Sequence, residues 1–273
     1  MVQEPQQFVH LSQGRVHYRA AGPHDGPVVV LIHGFSFGSW CFNYLGPLLE
    51  DAGYRVFAPD LYGRGFSDRP AVRHDAALYN QMLAEFLDAV GVEGPATLVG
   101  NSMGGAIAVD FAAHYPGQVR GVVLVATTGL RLSRPLSLGW FSVPLIGDLI
   151  WRWMGPDITI SHSSDPVVRD MANAAVRQQA QIPGYYAALL STLRHFPLDG
   201  MGASFETLSI QGTPVRALFS LNDPLIPAES AEVLAELIPR ASIKIFEDTS
   251  HDLVMERPEL VAEAVAALIL PDQ

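Results

Sequence analysis

Short apolar runs alternate with longer stretches of helical period along most of this chain. Residues 28–32 read Val-Val-Val-Leu-Ile, the unbroken apolar pattern of a strand covered on both faces of a parallel sheet. Comparable runs at 55–58, 97–99, 122–125, 215–219 and 243–246 predict further strands. Between most of them apolar residues recur at helical spacing, which predicts helices over 41–51, 75–90, 103–114, 228–237 and 258–268. Parallel neighbours need crossover connections, so the alternation predicts an α/β protein with a mostly parallel sheet and helices on both faces. Near the start, 8–11 and 15–20 flank Gln13-Gly14 and predict an antiparallel hairpin that opens the sheet.

The rhythm stops between Gly129 and about Met201, where Trp, Pro, Arg and Ser crowd together and no buried-strand run occurs. We read 130–201 as an inserted helical cap, or lid, which leaves 1–129 and 202–273 as the core. A length of 273 residues suits one large unit carrying such an insertion. The most membrane-like stretch, 138–154, is about one turn short of a spanning helix. It is also broken by Pro144, Gly147, Asp148 and Arg152, so no stable membrane insertion is expected.

Composition narrows the function. With 49% hydrophobic and 16% charged residues the chain is not of the disordered class. A net charge of −11 with scattered Lys and Arg argues against nucleic acid as a partner. Cys41 is the only cysteine, so neither an intrachain disulfide nor a thiolate metal cluster can form. Residues 1–7 show neither the basic nor the apolar region of a secretory signal, and a cytoplasmic location is the expectation.

The chemistry centres on Gly100-Asn101-Ser102-Met103-Gly104, which follows one predicted strand and opens a predicted helix. In that strand-turn-helix context G-x-S-x-G places a serine on a strained turn, and small neighbours are needed where helix and strand approach closely. Gly100, Gly104, Gly105 and Ala106 supply them. The helix start also directs N–H groups and a positive dipole end at the place where an oxyanion would develop. Gly34-Phe35-Ser36-Phe37-Gly38 fits the same pattern, but two phenylalanines flank its serine and Ser39-Trp40 follow, which disfavours close packing. Ser102 is therefore the expected nucleophile. The Phe35 N–H, leaving a neighbouring strand, is then the expected oxyanion donor beside that of Met103.

These segments, with Asp60-Leu61-Tyr62-Gly63-Arg64-Gly65-Phe66-Ser67-Asp68, resemble the α/β-hydrolase superfamily, and most of all its small bacterial esterases and monoacylglycerol-lipase-like members. The resemblance covers about 28–130 and 213–268 and is weakest over the cap. It implies that His251, on the loop between the last strand and last helix, is the base that takes the serine proton. It likewise implies that Asp223, in Asp223-Pro224-Leu225-Ile226-Pro227 after the strand at 215–219, orients that base. The chain order Ser102, Asp223, His251 is the order expected for this fold. Ser250 and Ser220 stand where the family commonly has glycine.

His10, His17, His24, His74, His114, His162 and His195 are expected in solvated or capping roles, and His33 in a structural, hydrogen-bonded one. No histidine–carboxylate spacing indicates a metal. Asp60 is expected to brace its turn, Asp68 to pair near Arg64 or Arg69, and Asp248 and Asp252 to be solvated. The expected reaction is hydrolysis of a small carboxylic ester through an acyl-enzyme, with no cofactor. Its apolar portion would meet cap residues such as Trp140, Phe141, Trp151 and Trp153. Enzymes of the meta-cleavage type carry a similar Gly-Asn-Ser-Met-Gly-Gly, and by that resemblance Asn101 keeps open a second reaction on the same apparatus, hydrolysis of a carbon–carbon bond; Arg194 could be their cap arginine, but a solvated surface role is the first expectation for it. A ligand-binding member of the fold without catalysis is a third reading.

Overall fold

The apolar runs become eight strands: β1 (Gln7–Leu11), β2 (Gly14–Ala21), β3 (Val28–Ile32), β4 (Arg55–Pro59), β5 (Ala96–Asn101), β6 (Val119–Val125), β7 (Val215–Ser220) and β8 (Ser242–Phe246). The computed structural model describes residues 7–133, 141, 143 and 146–269. The strands form one sheet in the order β1-β2-β4-β3-β5-β6-β7-β8. β1 and β2 pair antiparallel, as do β2 and β4, and all later neighbours are parallel.

Side-chain alternation divides the core into two layers. Val30 and Ile32 of β3 belong to one, and Val29 and Leu31 to the other. All four have 0% exposure; complete burial stabilises each by about 1.5–3 kcal/mol relative to an exposed side chain. The first layer is closed by α2 (Ala76–Ala89), α3 (Met103–His114), α7 (Gly202–Gln211) and α8 (Glu229–Leu237), the second by α1 (Leu45–Asp51) and α10 (Pro258–Ile269). Asp75 caps α2, its side chain accepting from the Leu78 N–H, which satisfies one of the donors a helix start leaves free.

The helix expected over 41–51 is instead a 3-10 turn, Ser39–Phe42, followed by α1. Pro47 has no N–H to donate to the Asn43 carbonyl, so it is tolerated only within the first turn of α1, and the helix cannot run unbroken from 41.

Between β6 and β7 the chain forms α4 (Ile146–Ile158), α5 (Pro166–Ala180), α6 (Tyr185–His195) and α7. α7 packs against α3 of the core, whereas the segment from α4 to α6 reaches the loops at the C-terminal ends of the strands. Tyr185 donates its hydroxyl hydrogen bond to the Ser36 carbonyl at 2.7 Å, and Ser36 donates to the Thr159 carbonyl at 3.1 Å. Among the described residues no helix is long and apolar enough to cross a membrane.

β3 is the strand at which the winding reverses, because β4 lies on one side of it and β5 on the other. In open α/β sheets a crevice forms outside the carboxyl ends of the strands at such a switch point. Here those ends carry His33 and Ser102.

Candidate active site

The turn after β5 is built by exclusion of side chains. A Cβ on Gly104 would lie 2.0 Å from the Ile32 carbonyl oxygen, and one on Gly100 would lie 2.4 Å from that of Gly104. Gly105 is equally constrained, with Thr127 Oγ1 at 2.3 Å. Helix α3 can therefore start directly at Met103, and Ser102 is driven to φ 54°, ψ −120°. A non-glycine residue there is strained. The surroundings fix it: the Ser102 N–H donates to Val125 O at 2.8 Å, and its carbonyl accepts from Gly105 N at 2.9 Å and Thr128 N at 3.1 Å.

His251 lies on the loop between β8 and α9 (Leu253–Glu256). Its Nε2 is 3.0 Å from Ser102 Oγ, and its Nδ1 is 2.8 Å from Asp223 Oδ2. Asp223 can only accept, which assigns the proton to Nδ1 and leaves Nε2 to accept from the serine hydroxyl. The other Asp223 oxygen accepts from the N–H groups of Leu225 at 2.8 Å and Ile226 at 2.9 Å, so its own loop holds the carboxylate in place. All three residues are buried, with 7%, 8% and 8% of Ser102, Asp223 and His251 exposed. Burial works against a charged imidazole, but the Asp223 carboxylate, aided by Asp252 and Glu256, outweighs it and raises the His251 pKa above the ordinary value.

Phe35 lies on the loop that brings the β3 end past Ser102. A Cβ on Gly34 would sit 3.2 Å from Ser102 Cβ, so that loop's backbone runs alongside the serine. Arg64, wholly buried, donates from Nε to the Phe35 carbonyl at 2.9 Å and stacks over the Phe35 ring at 5.5 Å. His33 fixes the preceding residue: Nδ1 bonds to Gly34 O at 2.9 Å, and Nε2 accepts from Leu61 N at 2.9 Å. Burial lowers its pKa to about 4, so it is a neutral structural group. Met103 is the first residue of α3, where a backbone N–H has no partner within the helix.

Of the aromatic residues expected at the site, Phe141 and Trp151 are buried and meet edge to face at 5.7 Å. Trp151 also contacts the Phe35 ring at 6.5 Å and donates from Nε1 to the Tyr186 carbonyl at 2.8 Å. Trp140 lies outside the described residues. The expectation for Trp153 is corrected: it is 80% exposed. Two residues on from the inward-facing Trp151, it is about 200° round the helix and points away from Phe35.

Several other expectations change. Asp252 is not solvated but 1% exposed, accepting from the Ser161 hydroxyl and from His162 N at 3.1 Å. Asp68 pairs with Arg15, whose N–H lies 2.7 Å from Oδ2, rather than with Arg64 or Arg69. His17 and His74 are buried rather than solvated. Asp60 does brace its turn, accepting from Ser39 N at 2.6 Å and Phe66 N at 2.9 Å, but it also binds His17 Nδ1 at 2.7 Å. Burial opposes its charge, yet the bond from His17 and the nearby His33 hold its pKa at about 2. Cys41 is buried and its thiol pKa is raised by burial, so it is no competing nucleophile. Among the described residues no group of His, Cys, Asp or Glu is arranged to hold a metal ion.

Comparison with known proteins agrees with the fold. The model of the alpha/beta hydrolase family matches residues 29–264. The chain belongs to that family. It is 30% identical over 262 residues to 2-hydroxymuconate semialdehyde hydrolase of Pseudomonas sp. (strain CF600), covering 88% of this chain and 89% of the relative. Among solved structures, carboxylesterase CesB of Bacillus subtilis superposes with a TM-score of 0.75 at 21% identity, covering 100% of this chain and 93% of the other. The meta-cleavage product hydrolase CumD of Pseudomonas fluorescens IP01 superposes with a TM-score of 0.76 at 23% identity, over 96% and 97% of the two chains.

Proposed function

We propose that the protein is a serine hydrolase that cleaves a small carboxylic ester with an apolar acyl or alcohol portion. The observation that carries this reading is the relay from Ser102 Oγ to His251 Nε2 at 3.0 Å and from His251 Nδ1 to Asp223 Oδ2 at 2.8 Å, with the serine on a strained turn. Ser102 Oγ attacks the ester carbonyl as its proton passes to His251 Nε2, and the carbonyl π electrons move onto oxygen. The N–H groups of Phe35 and Met103 hold that oxyanion. Its collapse expels the alkoxide, which takes the proton from His251 and leaves an acyl-serine. Water, deprotonated by the same imidazole, releases the carboxylic acid and restores the serine. Asp223 keeps the imidazole in the required tautomer and stabilises the imidazolium. In this reading 130–201 is a cap over the site, and Phe141 and Trp151 line its apolar side with Phe35.

The relationship to 2-hydroxymuconate semialdehyde hydrolase favours a second reading, hydrolysis of a carbon–carbon bond beside a carbonyl by the same nucleophile. A muconate-type substrate carries a carboxylate and calls for a cation. Arg194, the cap arginine suited to it, donates to the Phe141 carbonyl at 2.6 Å and pairs with Asp148 at 3.1 Å, so its guanidinium braces the cap. For that reason we put the ester reading first. Incubation with a fluorophosphonate probe, followed by p-nitrophenyl esters and one vinylogous diketone acid, tests both. Labelling at Ser102 with faster ester turnover supports the first reading, and faster diketone cleavage the second. An unlabelled native protein would point to a binding member of the fold.

A further inference from the structure

His251 is followed directly by a second carboxylate that the relay does not use. Asp252 is 1% exposed, and one of its oxygens accepts from the Ser161 hydroxyl and the His162 N–H of the segment between α4 and α5. Its other oxygen is buried without a hydrogen-bond partner among the described residues. In that setting burial favours the neutral acid, and the donors on one side work against it. Those donors are not part of the hydrolase core. They belong to the cap, 91 and 90 residues away in sequence.

The same cap segment is tied to the base loop a second time. Glu256 accepts from Ser163 Oγ at 2.5 Å and Ser164 N at 3.1 Å on the cap side, and from Ser250 N at 2.8 Å and Ser250 Oγ at 2.7 Å on the loop side. Residues 161–164 thus lie across the turn that carries the base, donating to two carboxylates of that turn and the helix after it. We propose that Asp252 is a positioning residue through which this cap segment sets the charge beside His251, so that the base is at full strength only when the segment is seated. The inference rests on the proposed serine-hydrolase reading and deepens it, by making cap closure and activation of the base one event.

The groups that take part are few. Asp252 is faced by His251 and Glu256 from its own loop and helix, by His162 from the cap, and by the Cys41 thiol from the turn Ser39–Phe42. His251 is faced by Asp223 from the loop after β7, and by Asp252 and Glu256. Burial raises the Asp252 pKa, with His251 and the Ser161 hydrogen bond acting against it. When Ser161 and His162 withdraw, water replaces them at the carboxylate and screens its charge from His251. The imidazolium that must form during attack by Ser102 then feels that neighbouring negative charge less.

The rate of fluorophosphonate labelling of Ser102 against pH reads the base without a known substrate. In D252N, which keeps acceptor and shape but removes the charge, the acid limb should move to lower pH by about half a unit or more. The limiting labelling rate should also fall, since a weaker base accepts the serine proton less well. Ser161→Ala, which leaves the carboxylate but removes its donor, should move the limb the same way by less, and it serves alone if D252N does not fold. Asp248→Asn, the exposed acid of the same loop that pairs with Arg257, should leave the limb in place. Unshifted limbs in folded D252N and S161A would overturn the inference, as would an equal shift in D248N. Failure of the native protein to label would instead remove the serine-hydrolase reading on which it stands.

Discussion

Ser102 and Ser36 share a sequence pattern, and their surroundings separate them. Ser102 sits at positive φ with His251 Nε2 at 3.0 Å, whereas the Ser36 hydroxyl is spent on the Thr159 carbonyl at 3.1 Å. Ser102→Ala should therefore lower ester turnover by several orders of magnitude, about as loss of the nucleophile does in serine proteases. Ser36→Ala should retain most activity. Steady-state kinetics on a p-nitrophenyl ester compares the two, and the reverse outcome would move the nucleophile to Ser36. The pH dependence follows from the raised pKa of His251. An imidazole with a raised pKa stays protonated to higher pH, and only its neutral form can accept the serine proton. Activity should accordingly fall, on acidification, at a pH above the ordinary histidine value of about 6.5. A plot of kcat/KM against pH locates that limb, and full activity at pH 5 in folded protein would rule this base out. Asp223→Asn should keep the fold but impair the rate by up to about 10⁴-fold through loss of the tautomer-fixing acceptor; a near-native rate would place the acid elsewhere.

The elements matter for how closely they approach one another. Gly104→Ala puts a methyl group where a Cβ meets the Ile32 carbonyl oxygen at 2.0 Å, and backbone on both sides cannot yield as a flexible side chain would. Overpacking of this kind costs about 1–3 kcal/mol or more. Urea unfolding should show at least that loss, and labelling of Ser102 should fall as well, because the turn must open to admit the methyl; unchanged stability would mean that β3 and α3 are not so tightly apposed. Such elements were legible in advance because their patterns are local. The run at 28–32 became β3 over the same residues, and the helix expected over 103–114 became α3 (Met103–His114). Strand order was not legible, since periodicity identifies a strand and says nothing of its neighbours. The helices between 146 and 195 were missed as individual elements for a related reason: Trp151, Trp153 and Pro156 crowd α4, and the apolar face of α5 is only the narrow stripe of Val168, Ala172 and Val176. At the site, Ser102 was recognisable from a five-residue motif and the placement of His251 and Asp223 from a family resemblance. Asp252 was misread as solvated, because its donors at Ser161 and His162 come from a distant segment and only the folded chain brings them together.

At the scale of the whole molecule, charge and apolar surface bear on what enters the crevice. A net charge of −11 sets up a field that disfavours anionic ligands at low ionic strength. Phe35, Phe141 and Trp151 form a linked aromatic wall on the loop that runs alongside Ser102, closed behind Trp151 by its hydrogen bond to the Tyr186 carbonyl. An acyl chain laid against such a wall gains by leaving water, at about 0.8 kcal/mol for each methylene buried. That corresponds to roughly fourfold in kcat/KM per carbon if the gain persists in the transition state. From acetate upward, p-nitrophenyl esters should therefore improve by an order of magnitude or more over a few carbons and then level off once the pocket is filled. An ester of similar length ending in a carboxylate should be a much poorer substrate, because its charge would have to be buried against the aromatic wall in a molecule already strongly negative. Trp151→Ala should flatten the rise with chain length while the acetate rate changes less, which separates loss of the wall from general damage to the relay. A flat or falling series in the native protein would show that the wall does not receive the acyl group, and a preference for the carboxylate-ended ester would favour the carbon–carbon bond hydrolase reading instead.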